Sequence, residues 1–193
     1  MTKVIGLTGG IGSGKSTLLK FIQQNGIPCF ESDKVGKELL DTQLKKDIIN
    51  SFGSYLYETG KLDRNKLAEL VFNDSGALNK LNNIVHPAVG RVFEKFKVKK
   101  RDNPIIIKES AILFETGIYK NCDLVILVCA PLEDRILRVI HRDGSNREAV
   151  LKRIVKQWDD IKKRPLANFI IENNKLEIAK HQLEKILTKL LIH

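Results

Sequence analysis

The 193-residue chain is 42% hydrophobic and 29% charged, ordinary globular usage that gives no ground for a disordered, collagenous or membrane-embedded protein. It is long enough to bury a core without disulfide or metal staples. A formal net charge of +10 attracts polyanions, which suits nucleic acid or a phosphate-rich small ligand without choosing between them.

Taken in chain order, Val4-Ile5-Gly6-Leu7-Thr8 is a short β-branched run ending in glycines, the mark of a buried parallel strand. Lys15–Gln24 carries Leu18, Leu19 and Ile22 at helical spacing, and Asn25-Gly26 followed by Pro28 stops it. Pro28–Glu31 predicts a second strand and closes a β-α-β unit. From Asp33 to Arg101 the pattern is helical throughout, with breaks expected near Gly53, Gly60 and His86-Pro87, so this stretch reads as an insertion. Strands return at Pro104–Lys108, Leu124–Cys129 and Phe169–Ile171. Their alternation with helical sequence predicts an α/β protein with a doubly wound, five-stranded parallel sheet. Between the last two strands lie two basic helices, Leu132–His141 and Asn146 to about Ile161. Ser145 and Glu148 have the spacing of a capping box for the second, just after an Asp143-Gly144 turn, and such a helical hairpin suits a lid. Leu176–Leu191 closes the chain as an amphipathic helix, with Leu176, Ala179, Leu183, Ile186, Leu187 and Leu190 on one face.

Several function classes fall away. Cys29, Cys122 and Cys129 are odd in number and far apart, which predicts reduced core thiols rather than a disulfide framework or a metal knuckle. The first residues lack the apolar run of a signal peptide, and no stretch reaches the roughly 18 apolar residues of a membrane span, so a cytoplasmic address is expected. The densest basic runs, Lys97–Arg101 and Lys162–Arg164, have few aromatics between them for base stacking. They read as solvated helix ends, and nucleic acid is not the expected partner.

Gly9-Gly10-Ile11-Gly12-Ser13-Gly14-Lys15-Ser16-Thr17 matches G-x-x-x-x-G-K-[ST] between a predicted strand and a predicted helix, the context its mechanics require. Backbone N–H groups from Gly10 to Thr17 turn inward around phosphates, and the helix N-terminus adds partial positive charge. Lys15 is expected to reach the β- and γ-phosphates of a nucleoside triphosphate and the Ser16 hydroxyl to ligate Mg²⁺. Arg135, Arg138 and Arg142, spaced i, i+3, i+7, place like charges along one helix face; a bound polyanion or the interleaved acids Glu133, Asp134 and Asp143 would relieve them. Asp33 follows the second strand, where a carboxylate takes a proton from an attacking hydroxyl, organises Mg²⁺, or caps a helix. Glu109 follows the Ile105-Ile106-Ile107 strand in the place of a Walker-B-type acid. His86-Pro87 reads as a turn and Trp158 as packing.

These residues together resemble the dephospho-coenzyme A kinases over nearly the whole chain. The resemblance rests on Ile5 through Ser16, Asp33, Gly60-Lys61-Leu62-Asp63-Arg64, His86-Pro87, Ile112-Leu113-Phe114-Glu115, Arg138 with Arg142-Asp143, and Gln157. It implies a P-loop NTPase fold that uses ATP and Mg²⁺ to phosphorylate the ribose 3′-hydroxyl of dephospho-coenzyme A. By that likeness Asp33 acts on the hydroxyl, Arg138 and Arg142 neutralise the transferred phosphoryl, and Asn173 lies near the adenine base. Residues 1–32, 103–138 and 166–193 would form the nucleotide-binding core, 33–102 the acceptor region and 139–165 the lid. The chain departs from the commoner pattern at Glu109-Ser110-Ala111, Arg135 and Asn168. Another small-molecule kinase, acting on a nucleoside or nucleotide, is the alternative, and oligomeric state is not legible.

Overall fold

In a computed structural model describing residues 2–72 and 74–192, the chain forms two compact units, Met1–Glu31 with Lys100–His193 and Ser32–Lys99. It opens with β1 (Lys3–Gly9), α1 (Lys15–Gln24) and β2 (Cys29–Glu31). The second unit then holds α2 (Ser32–Asp41), α3 (Lys45–Phe52), a 3₁₀ turn at Ser54–Tyr57, α4 (Arg64–Phe72) and α5 (Ser75–Lys99). The first unit resumes with β3 (Ile105–Glu109), β4 (Leu124–Cys129), α6 (Leu132–Asp143), α7 (Arg147–Ile154), α8 (Asp160–Lys163), β5 (Phe169–Glu172) and α9 (Leu176–Ile192).

All five strands run parallel in the order β2-β3-β1-β4-β5. This is the expected α/β sheet, and its central strand is covered on both faces, so Val4, Ile5 and Leu7 are all buried. Alternation along the strand sends Ile5 and Leu7 to the face covered by α1 and α9, where Leu18, Leu19, Ile22, Ala179, Leu183 and Leu187 complete the core. On the opposite face Leu113, Phe114, Val125, Leu127 and Cys129 form a second cluster that takes in Trp158. Gly6 faces that cluster, and a Cβ there would stand 2.7 Å from Leu113. The face expected for the last helix is the buried one, except that Leu176, at its first turn, is exposed.

In the second unit Leu39, Leu40, Ile48, Leu56, Leu67, Ala88, Val89 and Phe93 are buried, and Tyr57 Oη donates to the Leu40 carbonyl at 2.6 Å. Asp63 and Asp74 accept N–H bonds at the starts of α4 and α5. The break expected at His86-Pro87 does not occur: α5 runs through Pro87 as one helix. A mid-helix proline costs about 3 kcal/mol. Burial of Ala88, Val89 and Phe93, with packing against α2, α3 and α4, offsets it and overrides the local signal.

The hairpin after β4 also departs from its sequence pattern. The second helix stops at Ile154 rather than near Ile161, because the Trp158 amide is taken by Glu115 and Asp159 caps a new helix through its bond from Lys162 N. The cap of α7 is Asn146, whose side chain accepts from Ala149 N at 2.8 Å, and not Ser145, whose buried hydroxyl has no partner. Gly144, at φ 64°, ends α6 in the left-handed region, and extended Asn146 starts the next helix one residue later than the pattern indicates. Segment 139–165 lies within the first unit, and its first boundary falls inside α6.

Candidate functional site

From β1 the chain proceeds to β2, with β3 between them, while β4 and β5 lie on the other side. The carboxyl end of β1 is therefore the topological switch point, where ligands of such sheets bind. The loop there turns tightly, with Ser13 N donating to the Gly10 carbonyl at 3.0 Å. Gly12 and Gly14 have φ of +78° and +89°, a region side chains rarely enter. A Cβ at Gly12 would run into the Arg135 backbone, and one at Gly14 into the Asn173 amide. Gly14 caps α1 without a side-chain bond, and no acid stands in the first turn. The protein thus leaves the positive end of α1 unneutralised by its own first turn, with Ser16 and Thr17 exposed beside it.

Lys15, the first residue of α1, forms an ion pair with Glu109, the last residue of β3, and the two side chains are only 11% and 7% exposed. Parallel pairing of Leu7 with Glu109 brings the acid to the edge from which the loop departs. So deep a charge is tolerated only when paired, and the pair places an acid and an ammonium beside the loop.

Four side chains hold the loop from outside. Arg135, buried on α6, donates from Nε to the Ile11 carbonyl at 2.9 Å and stands 3.9 Å from Asp160. Arg138, one turn on, donates to the Asn173 carbonyl at 3.0 Å and to Gly12 at 3.5 Å. Asn173 follows β5 and gives its amide to the Ser13 carbonyl at 2.7 Å while its own N–H bonds Cys129. It is 3% exposed and braces the loop. Gln157 accepts from Ile11 N at 2.8 Å and donates to Ala111 at 3.1 Å. Only resemblance singled out Gln157, and no periodicity or motif pointed to a contact with residue 11.

The arginine stripe therefore divides. Arg135 and Arg138 reach the loop, whereas Arg142 makes two bonds to Asp143, at 2.7 and 3.0 Å, on the outer surface. Asp33 sits exposed in the first turn of α2, in the second unit, rather than ahead of the helix as a cap. His86 is half-buried within α5, which holds its imidazole below the usual pKa.

Other candidates for chemistry are set aside by their surroundings. Burial pushes Cys29 and Cys129 up to about 12 and Cys122 to about 11, so none is a thiolate at neutral pH. The run Lys162–Arg164 is a solvated end only in part, since Lys162 and Arg164 are exposed and Lys163 is not. Lys162 lies 3.7 Å from the Trp158 ring centre, Lys163 is fully buried 3.0 Å from Glu115, and Arg164 pairs with Glu172 at 2.7 Å.

Residues 3–178 match the family model for dephospho-CoA kinase. The dephospho-CoA kinase of Fusobacterium nucleatum is 39% identical over 173 residues, covering 89% of each chain. A crystal structure from Thermus thermophilus superposes with a TM-score of 0.89 at 33% identity, covering 98% of both chains. The dephospho-CoA kinase of Campylobacter jejuni gives 0.73 at 28% identity, covering 100% of this chain and 98% of its own.

Proposed function

Because the chain belongs to the dephospho-CoA kinase family and is a kinase of coenzyme A biosynthesis, we propose a residue-level account of how it moves the ATP γ-phosphoryl group to the 3′-hydroxyl of dephospho-coenzyme A. The triphosphate lies along the loop of Gly10, Ile11, Gly12, Ser13, Gly14, Lys15, Ser16 and Thr17, on the amides its internal bonds leave open, since Ile11 N–H is held by Gln157 and Ser13 N–H by the Gly10 carbonyl. Lys15 exchanges Glu109 for the β- and γ-phosphate oxygens. The observation that carries this reading is the glycine-built loop at the switch point, closed against side chains and opening on a helix end with no acid in its own first turn.

The site fits Mg²⁺ brought in on the nucleotide. Among the described residues no group of three or more acids, histidines or cysteines is placed to hold a metal alone, and Mg²⁺ in kinases is held by few protein oxygens plus phosphates. The exposed Ser16 hydroxyl supplies one such oxygen, and Glu109, paired with the adjacent Lys15, supports it through water. Bound there, the ion would neutralise charge on the phosphate oxygens.

Asp33 takes the proton of the acceptor hydroxyl as its oxygen forms the new bond to the γ-phosphorus. The bond from that phosphorus to the β,γ-bridging oxygen breaks, and ADP leaves. Arg138 and Arg142 neutralise the phosphoryl in flight, Arg142 by leaving Asp143 as segment 139–165 closes and excludes water. The helical unit Ser32–Lys99 holds the acceptor. Among the described residues no helix is long and apolar enough to cross a membrane, which fits a cytoplasmic enzyme.

Coupled measurement of ADP release tests the account. With ATP and Mg²⁺, release should depend on dephospho-coenzyme A and fall by orders of magnitude in Lys15→Ala and Asp33→Asn. Equal turnover of a nucleoside would redirect the acceptor, and acceptor-dependent turnover at the parental rate in Asp33→Asn would remove its role as base.

A further inference from the structure

We propose that Gln157 is a positioning residue for phosphoryl transfer: it fixes the peptide between Gly10 and Ile11 so that the amides after it stay aimed at the triphosphate. The inference rests on the reading of that loop as the ATP cradle and deepens it.

Ile11 is held at both of its backbone groups. Its N–H donates to Gln157 Oε1 at 2.8 Å and its carbonyl accepts from Arg135 Nε at 2.9 Å. These groups belong to successive peptide planes flanked by Gly10 and Gly12, where rotation would otherwise meet little resistance. Pinning both planes removes freedom that ATP would have to freeze on binding.

A glutamine is what this place requires. One end must accept from Ile11 N–H and the other must donate to the Ala111 carbonyl, 3.1 Å away, so a single amide orientation satisfies both. A carboxylate offers no donor and an ammonium no acceptor. Ala111 lies two residues beyond Glu109, the partner of Lys15, so the same side chain ties the crown of the loop to the segment bearing that acid.

The strap carrying Gln157 is itself anchored. Trp158 N donates to Glu115 Oε1 at 2.9 Å, fully buried Lys163 stands 3.0 Å from the same oxygen, and Asp159 caps the helix between them. Burying a lysine in this way fixes residues 157–163 against the turn after β3, which gives Gln157 a stationary base from which to hold Ile11.

Steady-state kinetics of Gln157→Leu and Gln157→Glu, each expressed as a ratio to the parent, decide the matter. Gln157→Leu removes both polar ends at similar volume and should lower kcat/KM for ATP by about 10- to 100-fold, leaving the KM for dephospho-coenzyme A within about twofold. Gln157→Glu carries a built-in signature. Ionised, it sets a carboxylate against the Ala111 carbonyl; protonated, it regains a donor. Its ratio to the parent should therefore rise as pH falls toward the carboxyl pKa, about 4.3 when unperturbed and higher when part-buried. The charged groups nearest in the bonding network are Arg135, through Ile11, and Glu115, through Trp158, with Asp160 and Lys163 on the same strap. A Leu variant with parental kcat/KM for ATP overturns the proposal; should that variant fail to fold, a Gln157→Glu ratio that stays flat with pH overturns it instead. Parental turnover tests the cradle and the ratio tests Gln157, so the two failures are separable.

Discussion

The two ends of α6 carry the same side chain to different ends. At the inner end Arg135 is buried and Arg138 half-covered, and both are committed to carbonyls of the phosphate loop and its neighbour Asn173. At the outer end Arg142 rests on Asp143, which also takes Arg153 at 2.8 Å, with the Arg142 side chain 57% exposed. A buried guanidinium cannot leave its acceptors without stranding them, whereas an exposed ion pair is worth only about 0–1 kcal/mol and exchanges readily for a phosphate. Arg135 therefore works as scaffold, whereas part-exposed Arg138 and exposed Arg142 are the two arginines proposed to meet the phosphoryl.

The strongest way to break this contrast is at the loop itself. Lys15→Ala should reduce turnover by about 10³-fold. It should also lower the thermal midpoint, because Glu109 is left buried and uncompensated. Adding Glu109→Gln should restore the midpoint and not the turnover, which calorimetry and ADP release read separately. Arg135→Leu comes next: losing a buried ion that holds Ile11 should cost about 3 kcal/mol in urea unfolding and raise the KM for ATP. A variant as stable as the parent would show that the inner end is not scaffold.

Arg142→Ala should behave in the opposite way, with kcat down on the order of 100-fold and unfolding unchanged within about 0.5 kcal/mol. Loss of stability without loss of rate would place Arg142 with its inner neighbours. The smallest effect concerns Asp143, whose carboxyl is held well below the usual range by hydrogen bonds from Arg142 and Arg153. Its folded pKa is depressed, so its contribution is present above the ordinary aspartate pKa and is lost as pH falls through that value and below. Asp143→Asn should flatten that part of the acid limb by less than about 1 kcal/mol and leave turnover at neutral pH at or above the parent. A turnover loss matching Arg142→Ala would mean that the pair acts together.

The sheet was legible because parallel strands buried on both faces must be apolar runs, and Val4–Thr8 or Leu124–Cys129 have no other use. The phosphate loop was legible because the backbone geometry it needs is purchasable only with glycine at Gly12 and Gly14. Pro87 misled because local propensity weighs about 3 kcal/mol, less than the packing of a 25-residue helix contributes. The end of α7 and its cap were missed for a related reason: Asn146 and Ser145 are near-equal caps locally, and the choice lies in where Gly144 turns the chain.

The chemistry of the site was written locally: glycines, an ammonium and a hydroxyl on consecutive residues suffice for a phosphate cradle wherever the strand and helix around them form. What holds that cradle was not. Gln157 to Ile11, Asn173 to Ser13 and Arg135 to Ile11 join residues 146, 160 and 124 positions apart, and fully buried Lys163 pairs with Glu115, 48 positions away. Contacts of such span depend on how the sheet brings distant loops to one edge, and no pattern within a helix turn or strand repeat encodes that. Short-range periodicity thus decides which elements form and what they can bind, and packing decides which of the several arginines, amides and lysines the site uses.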